Sequence, residues 1–428
     1  MIALSLVILL GLMALTIPVV AVLGIIGLTL DQVYSMVPLV YGLGQVAWKV
    51  NTDFILVAIP LYILLGQLLL RSGIAERMYA ALSQWFSWMP GGLMHSNIVS
   101  CAMFAAVSGS SAATAATIGT VAIAEIDKHE YNERLFLGSL ASGGTLGILI
   151  PPSINLIVFG VLTNTSIPKL YLAGIMPGLL LTTLFVLIIV AICIVRPSWG
   201  GRPVETDWPR RIRLLPDLLP PIILFLLVVG SIYAGLATPT ESAALGVVGA
   251  MGLAAARKRL SIAIMVEAIE GTLVTTGFIM IIVVAAYFLN FVFSFVGLTS
   301  NVNSLITSLD LSPYAILAVV IVFYLVLGMF METLSMMVAT VPIITPVIIA
   351  AGFDPVWFGI LMILLIETAL ITPPVGFNLF VIQGVRGRGQ VHDVMIGALP
   401  FVVALQIVIV LIIVFPQIPL WLPDTFWG

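Results

Sequence analysis

The sequence predicts an all-α polytopic membrane protein arranged as inverted structural repeats, with two re-entrant hairpins and two unwound helices. Three observations lead to this expectation: a nearly charge-free apolar composition, basic residues gathered in a few short segments, and a Pro-Pro motif that recurs in matched surroundings. Of 428 residues, 61% are apolar and 8% charged, so a water-facing globule of this chain would be covered by apolar patches. Lipid is the expected solvent. Apolar runs long enough to cross a hydrocarbon core of ~30 Å, such as LYLAGIMPGLLLTTLFVLIIVAICIV, recur from end to end and imply about a dozen membrane-embedded segments.

Composition also excludes several function classes. The net charge is −3 and no basic patch carries interleaved aromatics, so no nucleic-acid partner is expected. No lysine follows a Walker-type glycine loop, and the longest polar stretch, 196–213, is too short to fold as a domain, so no ATPase is built in. Cys101 and Cys193 lie in apolar segments and read as small hydrophobes. His95, His129 and His392 show neither a metal-ligand spacing nor a nucleophile beside a base, so neither an enzyme nor a cofactor is expected. The N-terminal apolar run lacks a basic n-region and a small-residue cleavage site, which reads as a retained helix.

Element order follows from where the sixteen Lys and Arg residues fall, since positive charges in short loops hold those loops in the cytoplasm. With IDKHEYNER inside, spans near 132–165, 168–195, 214–236, 239–256 and 262–296 alternate and place Arg196 to Arg213 and Arg257 to Arg259 inside. The segment 298–311 then faces outward, and a span near 355–385 returns to Arg386 and Arg388 inside. Working backwards, spans near 2–28, 53–70 and 78–91 put Lys49 inside and Arg71 and Arg77 outside. The stretch 34–50, with Trp48 and Lys49 at its end, reads as an interfacial helix or arm. This path requires 93–126 to enter and leave on the inner face and 312–351 on the outer one, which makes both re-entrant hairpins.

The repeat supports the same path. GGTLGILIPPSINLIVFGV and ETALITPPVGFNLFVIQGV each set a Pro-Pro pair ahead of an Asn, a Gly and, farther on, a Pro, with spacings that drift by at most one residue. Each is preceded by a hairpin centre, SGSSAATAATIGTV around Gly109 and METLSMMVATVPII around Glu332. Inverted repeats with interrupted helices are the architecture of many secondary transporters.

A proline pair removes two backbone donors and leaves carbonyl oxygens without helical partners, in a medium that supplies no water. Such oxygens, with Ser and Thr hydroxyls, suit a hard cation such as sodium. One cation site is expected where Ser108, Ser110 and Ser111 meet the unwound stretch that includes Gly144 and Gly147. A second is expected where Glu332, Thr333 and Ser335 meet Thr372 and Gly376. Candidate solute contacts are Ser111, Thr114, Pro152, Asn155, Thr333, Pro374 and Asn378. The alternative for the small residues is close helix packing, and for Asn155 and Asn378 satisfaction of freed backbone. Glu367, a carboxylate within an apolar run, either stabilises the second break or takes part in ion coupling. Thr238 to Glu241 read as a helix cap.

In SGSSAATAATIGTVAI, GILIPPSINLIVFG, TPTESAALG and ITPPVGFNLF the chain resembles the large membrane (M) subunit of tripartite ATP-independent periplasmic (TRAP) transporters, the DctM-like permeases, over essentially its whole length. The resemblance implies an elevator-type fold like that of the ion-transporter superfamily. Transport-domain halves would lie at 93–165 and 312–386, with scaffold at 1–92, scaffold and arm helices at 166–311 and a C-terminal scaffold helix at 387–428. It also implies sodium-coupled import of a small organic anion across the bacterial inner membrane. The partners would be a small four-helix membrane subunit, expected as a separate polypeptide, and a periplasmic substrate-binding protein. No fixed cationic side chain lies near the hairpins, which leaves helix N-termini to hold a carboxylate. The rival readings are a stand-alone ion-coupled carboxylate carrier and a gated channel.

Overall fold

The computed structural model describes residues 2–15, 17–202, 207–297, 312–328 and 331–427, and every regular element among them is helical. Six helices are long and apolar enough to cross a membrane, or seven with the bent pair Ala58–Arg71 and Ile74–Phe86 taken as one span. Shorter apolar helices such as Leu93–Ser108, Ser111–Ala122 and Pro355–Ile371 supply further apolar segments. The segment 298–311, expected to face outward, lies outside the described residues.

Local chemistry sets the helix boundaries. Ser110, Asn132, Ser153, Ser166, Ser261 and Asp354 each accept a hydrogen bond from the first turn of the helix they precede, satisfying donors that a helix start leaves free. Thr238 and Glu241 form a reciprocal capping box at the start of Pro239–Ala256. Thr238→Ala should cost about 1 kcal/mol, read as a lower melting temperature of the purified chain. Three pairs of elements in the two halves have equal lengths, while the second hairpin limbs, Ser111–Ala122 and Thr333–Ala350, differ at 12 and 18 residues. First hairpin limbs are Leu93–Ser108 and Pro313–Gly328, both 16 residues. Glu133–Leu149 and Pro355–Ile371 have 17 each, and Ile154–Thr163 and Phe377–Arg386 ten each. Both Pro-Pro bonds are cis.

The N-terminal third departs from expectation. The span expected at 2–28 is instead two helices, Ile2–Ala14 and Val19–Tyr34, the second beginning directly after Pro18. Arg71 pairs with Glu267 (3.3 Å) and Arg77 with Asp217 (3.7 Å), and Asp217 also binds Arg257 (3.4 Å). Arg71 and Arg77 therefore share the end of the molecule that carries Arg257. At the opposite end Thr240 donates to the Phe54 carbonyl (3.0 Å), and Asp53, Asn164 and Thr238 line one cavity, so Lys49 stands there with Lys169. The expected sides of Lys49, Arg71 and Arg77 are thus reversed.

The reason is one miscounted crossing. At Gly73 (φ 70°) the chain bends 66° into Ile74–Phe86. That helix buries Ile74, Ala75, Met78 and Leu82 and exposes Glu76, Arg77 and Ala80. Arg77 at its start and Trp85 near its finish both reach the N-terminal half of Trp208–Tyr233, through Asp217 and Trp208. An amphipathic helix lying along one end crosses nothing, and removing a crossing inverts everything before it. The correction improves the charge rule, leaving Lys49 and Lys169 as the basic residues of the other end. The arm at 34–50 is a 3₁₀ turn and the helix Leu43–Asn51, with Met36, Tyr41 and Trp48 exposed.

Candidate functional site

The hairpin tips meet the helix breaks. Gly109, in the left-handed region (φ 63°), turns the chain from Leu93–Ser108 into Ser111–Ala122. It sits so close to the first break that a Cβ there would stand 2.7 Å from the Pro152 carbonyl oxygen. A Cβ on Gly147 would stand 2.6 Å from the Ser110 carbonyl oxygen, and Ser111 Oγ donates to the Thr145 carbonyl at 3.4 Å. The first tip and Gly144 to Pro152 come together, with Gly144 packed on Ala115, but Gly144 and Gly147 lie within the helix Glu133–Leu149, so the stretch expected to be unwound there is helical and the break is confined to 150–153. Ser108 and Thr114 are hydrogen-bonded to each other (2.9 Å), and Thr114 also donates to the Ser110 carbonyl (2.8 Å).

At the second tip Glu332 is the N-cap of Thr333–Ala350. It accepts from the Ser335 N–H (3.1 Å) and from Thr333 Oγ1 (2.7 Å). Thr372 donates to the Thr368 carbonyl (2.6 Å), which keeps its hydroxyl on its own helix. Gly376 adopts φ 46°, where glycine is favoured, and starts Phe377–Arg386. Pro374 is exposed, whereas Pro151 and Pro152 are buried.

A cavity of about 180 Å³ lies where both tips and both breaks converge, roomy enough for roughly six waters at ~30 Å³ each. Ser110, Ser111, Asn155, Glu332, Thr333 and Phe377 line it. A second cavity of about 140 Å³ shares Glu332, Thr333 and Phe377 and adds Gly376. Four helices point their N-termini at the larger cavity: Ser111–Ala122, Ile154–Thr163, Thr333–Ala350 and Phe377–Arg386. Among the described residues no Lys or Arg lines either cavity, and Glu332 is the charged residue they share. The free N–H groups and aligned dipoles of such ends favour an anion, while the carbonyl ends of Glu133–Leu149 and Pro355–Ile371 reach the same wall at Ile148 and Leu370 and favour cations.

Asn155 is 3% exposed, faces the cavity, and its Nδ2 has no partner. Asn378 instead donates to the Ala141 carbonyl (3.2 Å) and ties the two broken helices together, the structural alternative for that residue. Ser108, Thr114, Gly144, Gly147, Pro152, Ser335, Thr372, Pro374 and Asn378 line neither cavity. Glu367 is fully buried, neither of its oxygens has a partner among the described residues, and it lines neither cavity. Sequence reasoning missed Thr275, Phe278 and Ile279, which bring the long helix Ile262–Phe295 to the cavity wall. Their available signal was the run TLVTTGF, three hydroxyls within seven residues of a long, largely apolar helix.

Comparison with known proteins gives the family. The family model described as the DctM component of the tripartite ATP-independent periplasmic transporter matches residues 6–418. The C4-dicarboxylate TRAP transporter large permease DctM of Vibrio cholerae is 32% identical, covering 88% of this chain and 87% of its own. The sialic acid large permease SiaM of the same organism is 31% identical over 88% of both chains. The ectoine large permease TeaC of Halomonas elongata is 31% identical over 86% of both. Among solved structures, the YdaH transporter of Alcanivorax borkumensis has a similar fold, with TM-score 0.58, 14% identity and 86% coverage of each chain. A family of permeases rather than enzymes, matched along nearly the whole chain of a helical protein with six or seven candidate spans, leaves one assignment: this chain belongs to the DctM family, the large membrane component of TRAP transporters.

Proposed function

We propose that this chain is the large permease of a sodium-coupled, binding-protein-dependent importer of a small organic anion in the bacterial inner membrane. The observation that carries the reading is the cavity at which four helix N-termini converge without a single Lys or Arg. Such a site holds a carboxylate through backbone donors and leaves nearby carbonyls and hydroxyls for sodium. Relatives are named for C4-dicarboxylate, sialic acid and ectoine, which supports a small polar solute as the class. Sodium would sit between Ser110, Ser111 and the Gly144–Gly147 stretch, and between Glu332, Thr333 and Gly376. A small four-helix subunit and a periplasmic binding protein complete the importer.

In this reading the two hairpins are re-entrant, the repeats are inverted, and 93–165 with 312–386 move together against the remaining helices.

The test is uptake into proteoliposomes under a sodium gradient, with this chain, the small subunit and the binding protein omitted in turn. Loss of uptake on any omission, or without the gradient, is the expected result; uptake by this chain alone would point to a stand-alone carrier, and gradient-independent flux to a channel. Ser111→Ala and Thr333→Ala should raise the sodium concentration for half-maximal uptake by roughly tenfold, about the worth of one hydroxyl contact to a charge. Unchanged sodium titrations in both would remove these sites. Glu367, which bonds nothing at the break, we assign to ion coupling. Glu367→Gln should keep the yield of folded chain while weakening sodium dependence, and a normal sodium titration in that variant would reject the assignment.

A further inference from the structure

The two short helices behind the cavity are held by different means. Ile154–Thr163 is buried along nearly its whole length, so packing fixes it. Phe377–Arg386 buries only Asn378, Leu379 and Ile382, exposes Phe377, Phe380 and Gly384, and follows a break in which Pro374 and Val375 are exposed. Ten residues are too few for an isolated helix to be stable, and three buried side chains orient one weakly.

Polar ties supply what packing does not. Near one end Asn378 donates to the Ala141 carbonyl (3.2 Å), and at the other Arg386 Nε binds Glu133 Oε1 (2.9 Å). The two contacts lie eight residues apart on each helix and run in opposite directions, so Phe377–Arg386 is pinned along Glu133–Leu149 at two points ~12 Å apart. The Arg386 side chain is 4% exposed and also reaches Asp393 (3.4 Å), the Gln390 carbonyl (3.2 Å) and Gln383 Oε1 (3.4 Å). A guanidinium at a helix C-terminus and a carboxylate at a helix N-terminus each complement the local dipole. Farther out Arg388 binds Glu133 (3.4 Å) and Asp127 (2.7 Å), and its hydrogen bond holds the Asp127 carboxyl below the ordinary range. Arg134 binds Asp393 from an exposed position (3.0 Å).

We propose that Glu133 and Arg386 are positioning residues for transport: their ion pair fixes the second broken helix so that Gly376 and Phe377 stay at the wall of the two cavities. This rests on the reading of those cavities as the sodium and solute sites. Removal of either partner takes away the 2.9 Å tie, leaving Arg386 its longer contact to Asp393 or Glu133 its longer contact to Arg388, and frees the outer end of a weakly packed helix.

The experiment compares Arg386→Gln, Arg386→Lys and Glu133→Gln with Arg134→Gln, a control that cuts an exposed pair elsewhere in the same cluster. Each is assembled with its small subunit and binding protein, and uptake is normalised to folded chain. Backbone hydrogen exchange in 377–386 and the half-saturating sodium and solute concentrations are measured. Arg386→Gln and Glu133→Gln should each raise exchange and both half-saturation values by roughly tenfold, the size expected for losing a charge-assisted hydrogen bond. Arg386→Lys should recover much of both, and Arg134→Gln should change neither. Unchanged exchange overturns the proposal. Raised exchange with unchanged half-saturation values overturns it too, and the fault then lies with the reading of the cavities if Ser111→Ala also leaves the sodium titration unmoved.

Discussion

Gly147→Ala should lower solute uptake by on the order of 100-fold while the chain still inserts and accumulates, the scale that a misplacement of about 1 Å carries at reacting sites. The added Cβ would stand 2.6 Å from the Ser110 oxygen, 2.7 Å from its carbonyl carbon and 2.8 Å from the Ser111 nitrogen. These are backbone atoms of a tip, which cannot rotate away as a flexible side chain can. The tip must lift off the break, drawing the N-terminus of Ser111–Ala122 from the cavity and parting Ser111 from the Thr145 carbonyl. Gly109→Ala should act alike from the other side, through the Pro152 oxygen and an unfavourable φ of 63°. Gly252→Ala is the control: it lies in Pro239–Ala256 with nothing within 4 Å of the new methyl group and should transport normally. Uptake per folded transporter decides, and normal transport by Gly147→Ala would mean that the tip need not touch the break.

Gly138→Val should have the largest effect on stability. Gly138 faces the Gly397 carbonyl and Gly397 faces that of Arg134, so the helices Glu133–Leu149 and Val391–Val414 cross backbone to backbone. Small residues permit such crossings in membranes, where close packing rather than expulsion of water holds helices together. A valine needs the helices to separate by the width of a side chain, at a cost of about 3 kcal/mol. Thermal unfolding in detergent should show a much lower midpoint and a reduced folded yield. A wild-type midpoint would mean that the crossing is looser than its geometry indicates.

Much of the candidate site was legible locally. The Pro-Pro pairs, hydroxyl-rich tips and cap residues act within a few neighbours, so Ser110, Ser111, Asn155, Glu332 and Thr333 could be named from composition and spacing, and all of them line the larger cavity. Which hydroxyls remain available was not legible. Ser108, Thr114 and Thr372 are taken up by partners four to six residues away, and that competition depends on side-chain geometry. Asn378 binds a carbonyl 237 positions away in sequence, a contact no local pattern encodes. The contribution of Thr275 and Phe278 likewise needs Ile262–Phe295 to be laid against the tips.

The same division runs through the fold. By itself the sequence determined that this is a helical membrane protein, because hydropathy, proline and helix caps act over a turn or two and lipid admits few alternatives. It also carried the family, through motifs that depend on order and not on shape. Only the tertiary structure decided that Ile74–Phe86 lies along one end, that Arg71 and Arg77 join the basic end, and that four helix N-termini meet in one cavity. Hydropathy measures how apolar a segment is. Whether an amphipathic helix crosses or lies flat is set by what it packs against, and here Asp217 and Trp208 supply that surface from more than a hundred residues away.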